Sequence, residues 1–127
     1  MRELVPFEYA LLRAVPRVDR GECVNVGVVL YCQARDYLGV QVHLDEARLR
    51  ALDDAVDVAA VQAALAGVEA VCAGGVEAGR AGAGSPRERF GWLTAPRSTV
   101  VQTGPVHSGL TRHPEQDLQR LLDRLVR

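Results

Sequence analysis

The sequence predicts an α+β fold: an antiparallel sheet of about four strands, with a helical pair and a C-terminal helix packed on one face. Three observations carry this. Residues 22–32 form the only long β-branched run, with turn residues on both sides. Two further segments, 7–15 and 37–44, alternate at period two and are joined to that run by short turns. After Asp45 the apolar period changes from two to helical, and the chain ends in a leucine stripe.

The strand at 7–15 lies between Pro6 and Pro16, and it sets Phe7, Tyr9, Leu11 and Arg13 on one face. A charge at Arg13 then belongs either at a sheet margin or in a site. In the run 22–32, Val24, Val26, Val28, Leu30 and Cys32 share one face at period two. The other face is apolar too, but Asn25 makes it polar at one point and Gly27 leaves it without a side chain. Such a strand is covered on both sides. Segment 37–44 sets Leu38, Val40, Val42 and Leu44 together, completing a meander, and a fourth strand follows at 98–103.

Asp45 and Asp57 read as N-caps of two helices, the second carrying Val61, Leu65, Val68 and Cys72 and ending at Gly74-Gly75. Five glycines between positions 74 and 84 mark a flexible loop within a single domain spanning 1–127. Ser85 with Pro86 opens a short helix. Pro114 opens the last one, with Leu118, Leu121, Leu122, Leu125 and Val126 on one stripe and acids in its first turn.

Net charge is −1 and the pI about 6.3, so no global field favours nucleic acid or an anionic membrane. All fifteen basic residues are arginine, a bias expected of a GC-rich genome, which weakens any single arginine as a sign of anion recognition. No apolar leader or membrane-length window is present, and the expectation is a cytoplasmic protein. Cys23, Cys32 and Cys72 stand apart in apolar sequence and read as small buried hydrophobes; no metal-ligand spacing occurs among cysteines or histidines. P-loop, Rossmann and nucleophile-elbow patterns are all missing, and no cofactor is expected.

Polar density concentrates in residues 85–113. Arg87, Arg89 and Arg97 supply planar bidentate donors, Ser98 and Gln102 add hydrogen bonds, and Phe90 and Trp92 offer rings for stacking. A surface of arginines paired with the sixteen acids, over core-plugging Phe90 and Trp92, accounts for the same residues. His107, in a loop bounded by Gly104-Pro105 and next to Ser108, is the one candidate acid, base or phosphate ligand. Asn25 either bonds to a crossing backbone admitted by Gly27 or joins Arg13 in extending the polar patch onto the sheet.

Read together, Phe7-Glu8-Tyr9-Ala10-Leu11-Leu12-Arg13, Arg20-Gly21-Glu22, Val24-Asn25-Val26-Gly27, Arg89-Phe90-Gly91-Trp92-Leu93, Arg97-Ser98-Thr99 and Pro105-Val106-His107-Ser108-Gly109 give a pattern across nearly the whole chain. It resembles a bacterial family of small proteins of unknown function. The resemblance implies a cytoplasmic protein often encoded beside a kinase-like protein similar to the toxin kinases of toxin–antitoxin systems. It implies no activity and no catalytic residues.

Three functions fit these observations. The first is a non-enzymatic accessory or binding protein acting with a protein partner. The second is an anion-binding module, for phosphate, carboxylate, nucleotide or nucleic acid, through residues 85–109 with Arg13 and Asn25. It requires Arg87, Arg89 and Arg97 to converge on one cleft. The third is a small phosphoryl- or acyl-transfer enzyme in which His107 contacts Ser98 or Arg97 at hydrogen-bond distance.

Overall fold

A computed structural model describes residues 2–127, the side chains of 76 and 77 apart. Its centre is a long strand, β1 (Val5–Ala14), paired antiparallel with β2 (Val24–Cys32), which pairs in turn with β3 (Tyr37–Val42). The expected meander is present. On its other side β1 pairs with two short strands laid end to end, β4 (Val101–Thr103) and β5 (His107–Thr111), both antiparallel to it. The sheet therefore has five strands in the described residues, ordered β3-β2-β1 and then the split edge β4/β5.

His107 opens a strand where the sequence suggested a loop. No period-two apolar pattern marks β5, because an edge strand whose outer side is open buries only Thr111 fully. The Gly104-Pro105-Val106 break that separates β4 from β5 is what made this stretch look like a loop.

The helices are α1 (Glu46–Leu52), α2 (Val58–Ala73), α3 (Pro86–Leu93) and α4 (Pro114–Leu125). Their ends follow local chemistry. Asp45 accepts from the Arg48 amide and Asp57 from the Ala60 amide. Ser85 and Glu88 form a reciprocal capping box with Pro86 at the first helical position. The glycine-rich stretch is drawn into 3-10 turns over Val76–Gly82, closed by a Gly75 N–H donating to the Gly82 carbonyl at 3.1 Å.

The helices do not share one face of the sheet. Leu49 of α1, Val61, Leu65 and Cys72 of α2, and Phe90 and Leu93 of α3 pack on Ala10, Leu12 and Ala14. Leu118, Leu121 and Leu122 of α4 pack on the other side against Phe7, Val28, Leu30 and Cys32. A central strand apolar on both faces needs both covered, and two layers of helix meet that need.

One irregularity sorts the side chains between these layers. Leu12 pairs with Gly27 and Arg13 with Asn25, which leaves Val26 unmatched in a β-bulge. The period-two face expected for β2 is accordingly broken. Val24 and Val26 join the α2 core with Val29 and Tyr31, while Val28, Leu30 and Cys32 join the α4 core. Gly27 follows the bulge on the α2 side, where a Cβ would come within 2.9 Å of both the Gln41 carbonyl oxygen and Leu12 Cδ1.

Cys32 and Cys72 are buried as expected, whereas Cys23 precedes β2 and is exposed; all three are free. Burial pushes the Cys72 thiol up to about 11, against a smaller opposing pull from the Arg89 guanidinium.

Gly27→Ala is expected to destabilise the fold by about 1–3 kcal/mol, because the colliding carbonyl belongs to the backbone and cannot move aside; urea unfolding measures it. A thiol reagent at pH 8 should label Cys23 rapidly and Cys72 only after unfolding. Because the folded Cys72 pKa is raised from 9.0 to about 11, its stabilising share is complete below pH 9 and is lost as pH rises through 11. Melts of wild type and Cys72→Ala across that window should differ in slope.

Candidate anion-binding site

Helix α4 lies along β2 and β3, so the β1 and β4/β5 side of that face is only partly covered. Val5 and Phe7 of β1 are buried under the helix, but Tyr9, Leu11 and Arg13 further along the same face are only half-buried. Alternation within β1 is intact, which is why Arg13 follows the Phe7-Tyr9-Leu11 face.

Register then decides the neighbours. Arg13 is paired with Gln102 of β4 on one side and Asn25 of β2 on the other, so the three stand in one cross-strand row. The bulge matters here, since it brings Asn25 to the α4 side opposite Val24 and Val26. Asn25 Nδ2 donates to the Leu125 carbonyl at 3.0 Å, one of the orphan acceptors in the last turn of α4. The amide thus bonds to a crossing backbone and also stands beside Arg13, although Gly27 faces the other layer. Gln102 Nε2 donates to the Thr99 carbonyl at 3.0 Å. Each amide keeps one N–H uncommitted.

Arg13 itself forms no ion pair or hydrogen bond among the described residues. Its guanidinium lies against Gly104, where a Cβ would come within 2.8 Å of Arg13 Cζ. Only glycine allows so close an approach of the charge to the edge backbone. Four residues back along β1, on the same face, the His107 ring sits 5.3 Å from the Tyr9 ring, tilted by 35°. Between β5 and α4 a cleft of about 370 Å³ is lined by Phe7, Tyr9, Arg120 and Arg124 among others. Arg120 is committed to Asp117 by contacts of 2.7 and 3.0 Å, whereas Arg124 has no partner among the described residues.

Four of the eight residues expected to bind, Arg13, Asn25, Gln102 and His107, therefore share this face. The others are elsewhere, and the three arginines do not converge. Arg87 reaches Glu8 at 4.0 Å on the α3 side. Arg89 Nη1 donates to the Gly84 carbonyl at 2.8 Å and Nη2 to the Cys72 carbonyl at 3.4 Å, tying the end of α2 to the start of α3. Arg97 lies over Trp92, its Cζ 4.3 Å from the ring centroid, and Ser98 is exposed without a hydrogen bond. Phe90 is a core residue, but Trp92 is 45% exposed rather than plugging the core. His107 contacts neither Ser98 nor Arg97, and among the described residues no serine, threonine or cysteine side chain bonds to a histidine ring.

Tyr9 and Arg124 are the additions. Tyr9 reads in sequence as an ordinary strand aromatic and Arg124 as a complement to the helix dipole; only the sheet register sets Tyr9 against His107, and only the position of α4 brings Arg124 to the cleft that Tyr9 lines.

Asn25→Ala should cost about 1 kcal/mol, the typical worth of one hydrogen bond, by leaving the Leu125 carbonyl without its donor. Urea unfolding gives the loss, and amide exchange should rise first in the last turn of α4.

No helix of the described residues is long and apolar enough to cross a membrane. No curated protein and no solved structure matches the chain. One family model does, over residues 9–126, a span that holds β2, the bulge, both edge strands and every residue of the row. The chain belongs to that family, described as protein of unknown function (DUF3037).

Proposed function

We propose that the protein is a non-enzymatic binding protein that holds an acidic segment of a protein partner on the open half of the α4 face. The observation that carries this reading is Arg13: a half-buried arginine, free of any acid among the described residues, paired in register with Asn25 and Gln102 and lying against Gly104. A guanidinium so placed offers a carboxylate a bidentate donor that no acid among the described residues occupies. On the same face, Arg124 adds a second charge without a partner among the described residues in the cleft against Tyr9, and the exposed Leu125 adds an apolar contact to that cleft. Surfaces that combine arginine with apolar neighbours suit protein partners better than a purely charged patch does.

A phosphate-bearing small ligand is the second reading, favoured by the Tyr9–His107 ring pair on the same face as Arg13, which could stack a base or ring. The setting that accompanies both readings is a bacterial cytoplasm, which three unpaired thiols suit. The kinase-like neighbour that the resemblance implies is the first partner to test by co-purification.

Anisotropy titrations with labelled peptides of mixed Glu and Leu, run beside thermal-shift titrations with phosphate and nucleotides, separate the two readings. Arg13→Gln should weaken the true ligand about tenfold, equivalent to about 1.4 kcal/mol. The affinity should also fall as salt rises. Equal affinity of wild type and Arg13→Gln for every ligand would overturn both.

A further inference from the structure

On the opposite side of the sheet, and independent of Arg13, a cleft of about 430 Å³ opens between α2 and the segment from Trp92 to Val101. Its wall on α2 is made of Ala64, Gly67, Val68 and Val71. Its rim is Trp92 with Arg97. We propose that this cleft is a binding site for a small apolar carboxylate, aromatic or short-chain aliphatic, with the acid group on Arg97.

Three features fit that class of ligand. The first is Arg97. Its Cζ lies 4.3 Å from the Trp92 centroid and its Nη2 donates to the Trp92 carbonyl at 2.6 Å, which orients the guanidinium plane against the ring. Stacking uses the face of the guanidinium and leaves donors in its plane unused, and no acid pairs with it among the described residues. A single cation at the rim selects one anionic group. The second is the lining, apolar apart from Thr99, whose hydroxyl already donates to the Val101 carbonyl at 2.7 Å. An apolar body gains by entering such a wall, whereas a free inorganic anion has nothing to bury.

The third feature is Gly67. It lies inside α2, where glycine is a poor helix former, yet an added Cβ there would meet nothing within 4 Å. The space above the helix at this exposed position is open, and a larger side chain would enter it without collision. Trp92 completes the rim with an exposed ring that can cover an aromatic or aliphatic body.

Trp92 is the only tryptophan in the chain, so its emission reports on the cleft directly. Benzoate, phenylacetate and hexanoate would be titrated against wild type, Arg97→Gln and Gly67→Leu, with benzamide and hexanamide as neutral counterparts. Amide chemical shifts of Ala64, Gly67 and Ala70 locate the binding without relying on any variant. The expected result is a saturable change in Trp92 emission with at least one acid. Affinity should fall at least tenfold in Arg97→Gln and for the amides, and binding should vanish in Gly67→Leu, which should melt no lower than wild type. The proposal is overturned if no acid gives a saturable change, if the amides of Ala64, Gly67 and Ala70 do not shift, if amides bind as tightly as acids, or if both variants bind like wild type.

Discussion

A chain with one strand apolar on both faces must cover that strand twice, and most of this structure answers that requirement. β2 carries Val24, Val26, Val29 and Tyr31 toward α2 and α3, and Val28, Leu30 and Cys32 toward α4. The split is not the plain alternation of a regular strand. It passes through the bulge at Val26, which lets the valines at 24 and 26 face one layer while the next position of that parity, Val28, faces the other. Gly27 makes the bulge tolerable by leaving room for Leu12 and the Gln41 carbonyl. Layer assignment, strand register and the position of Asn25 all depend on this one insertion.

The bulge also links the fold to the candidate site. Asn25 turned toward α4 can reach the Leu125 carbonyl, anchoring the helix end where the open half of the sheet begins. Arg13 is then bounded by Asn25 and Gln102 through register and by Gly104 through close approach. None of these neighbours is an acid. A partly buried cation held by neutral groups keeps its field available to a ligand, because desolvation has occurred without neutralisation.

An arginine-only basic complement might have produced a uniformly charged shell, but the guanidiniums divide by task. Among the described residues seven of them pair with acids, mostly within a turn or a helix and largely exposed, and such pairs are worth little to stability. Others serve backbone carbonyls: Arg89 joins α2 to α3, and Arg35 and Arg112 hold the N-terminal segment, while Arg48 does both, reaching the Val126 carbonyl at 2.7 Å. The composition bias explains why arginine does these chores, and Arg13, Arg97 and Arg124 are among the eight that have no acid partner among the described residues. Arg13 and Arg97 lie on opposite faces of the sheet, so one ligand cannot engage both.

Local chemistry was fully legible in the sequence. Asp45, Asp57, Ser85 with Pro86, and Pro114 mark the helix starts, and alternation in residues 7–15 and 37–44 gives the faces of β1 and β3. Each of these depends on interactions within a few residues. β5 was not legible, because an edge strand needs no apolar alternation and Gly104-Pro105 looks like a turn. The site was legible in part: residue types pointed to Arg13, Asn25, Gln102 and His107, but equally to Arg87 and Arg89, which the fold gives to Glu8 and to carbonyls. A doubly apolar β2 called for cover on both faces, but the helices were expected together on one face, and only the packing sets α4 opposite the other three. The sequence alone determined the elements, their caps and the two-sided burial of β2, because propensity, capping and periodicity are local. Tertiary structure alone decided the bulge, the layers and which arginines remain uncommitted, because these depend on register and on packing between residues as far apart as Asn25 and Leu125.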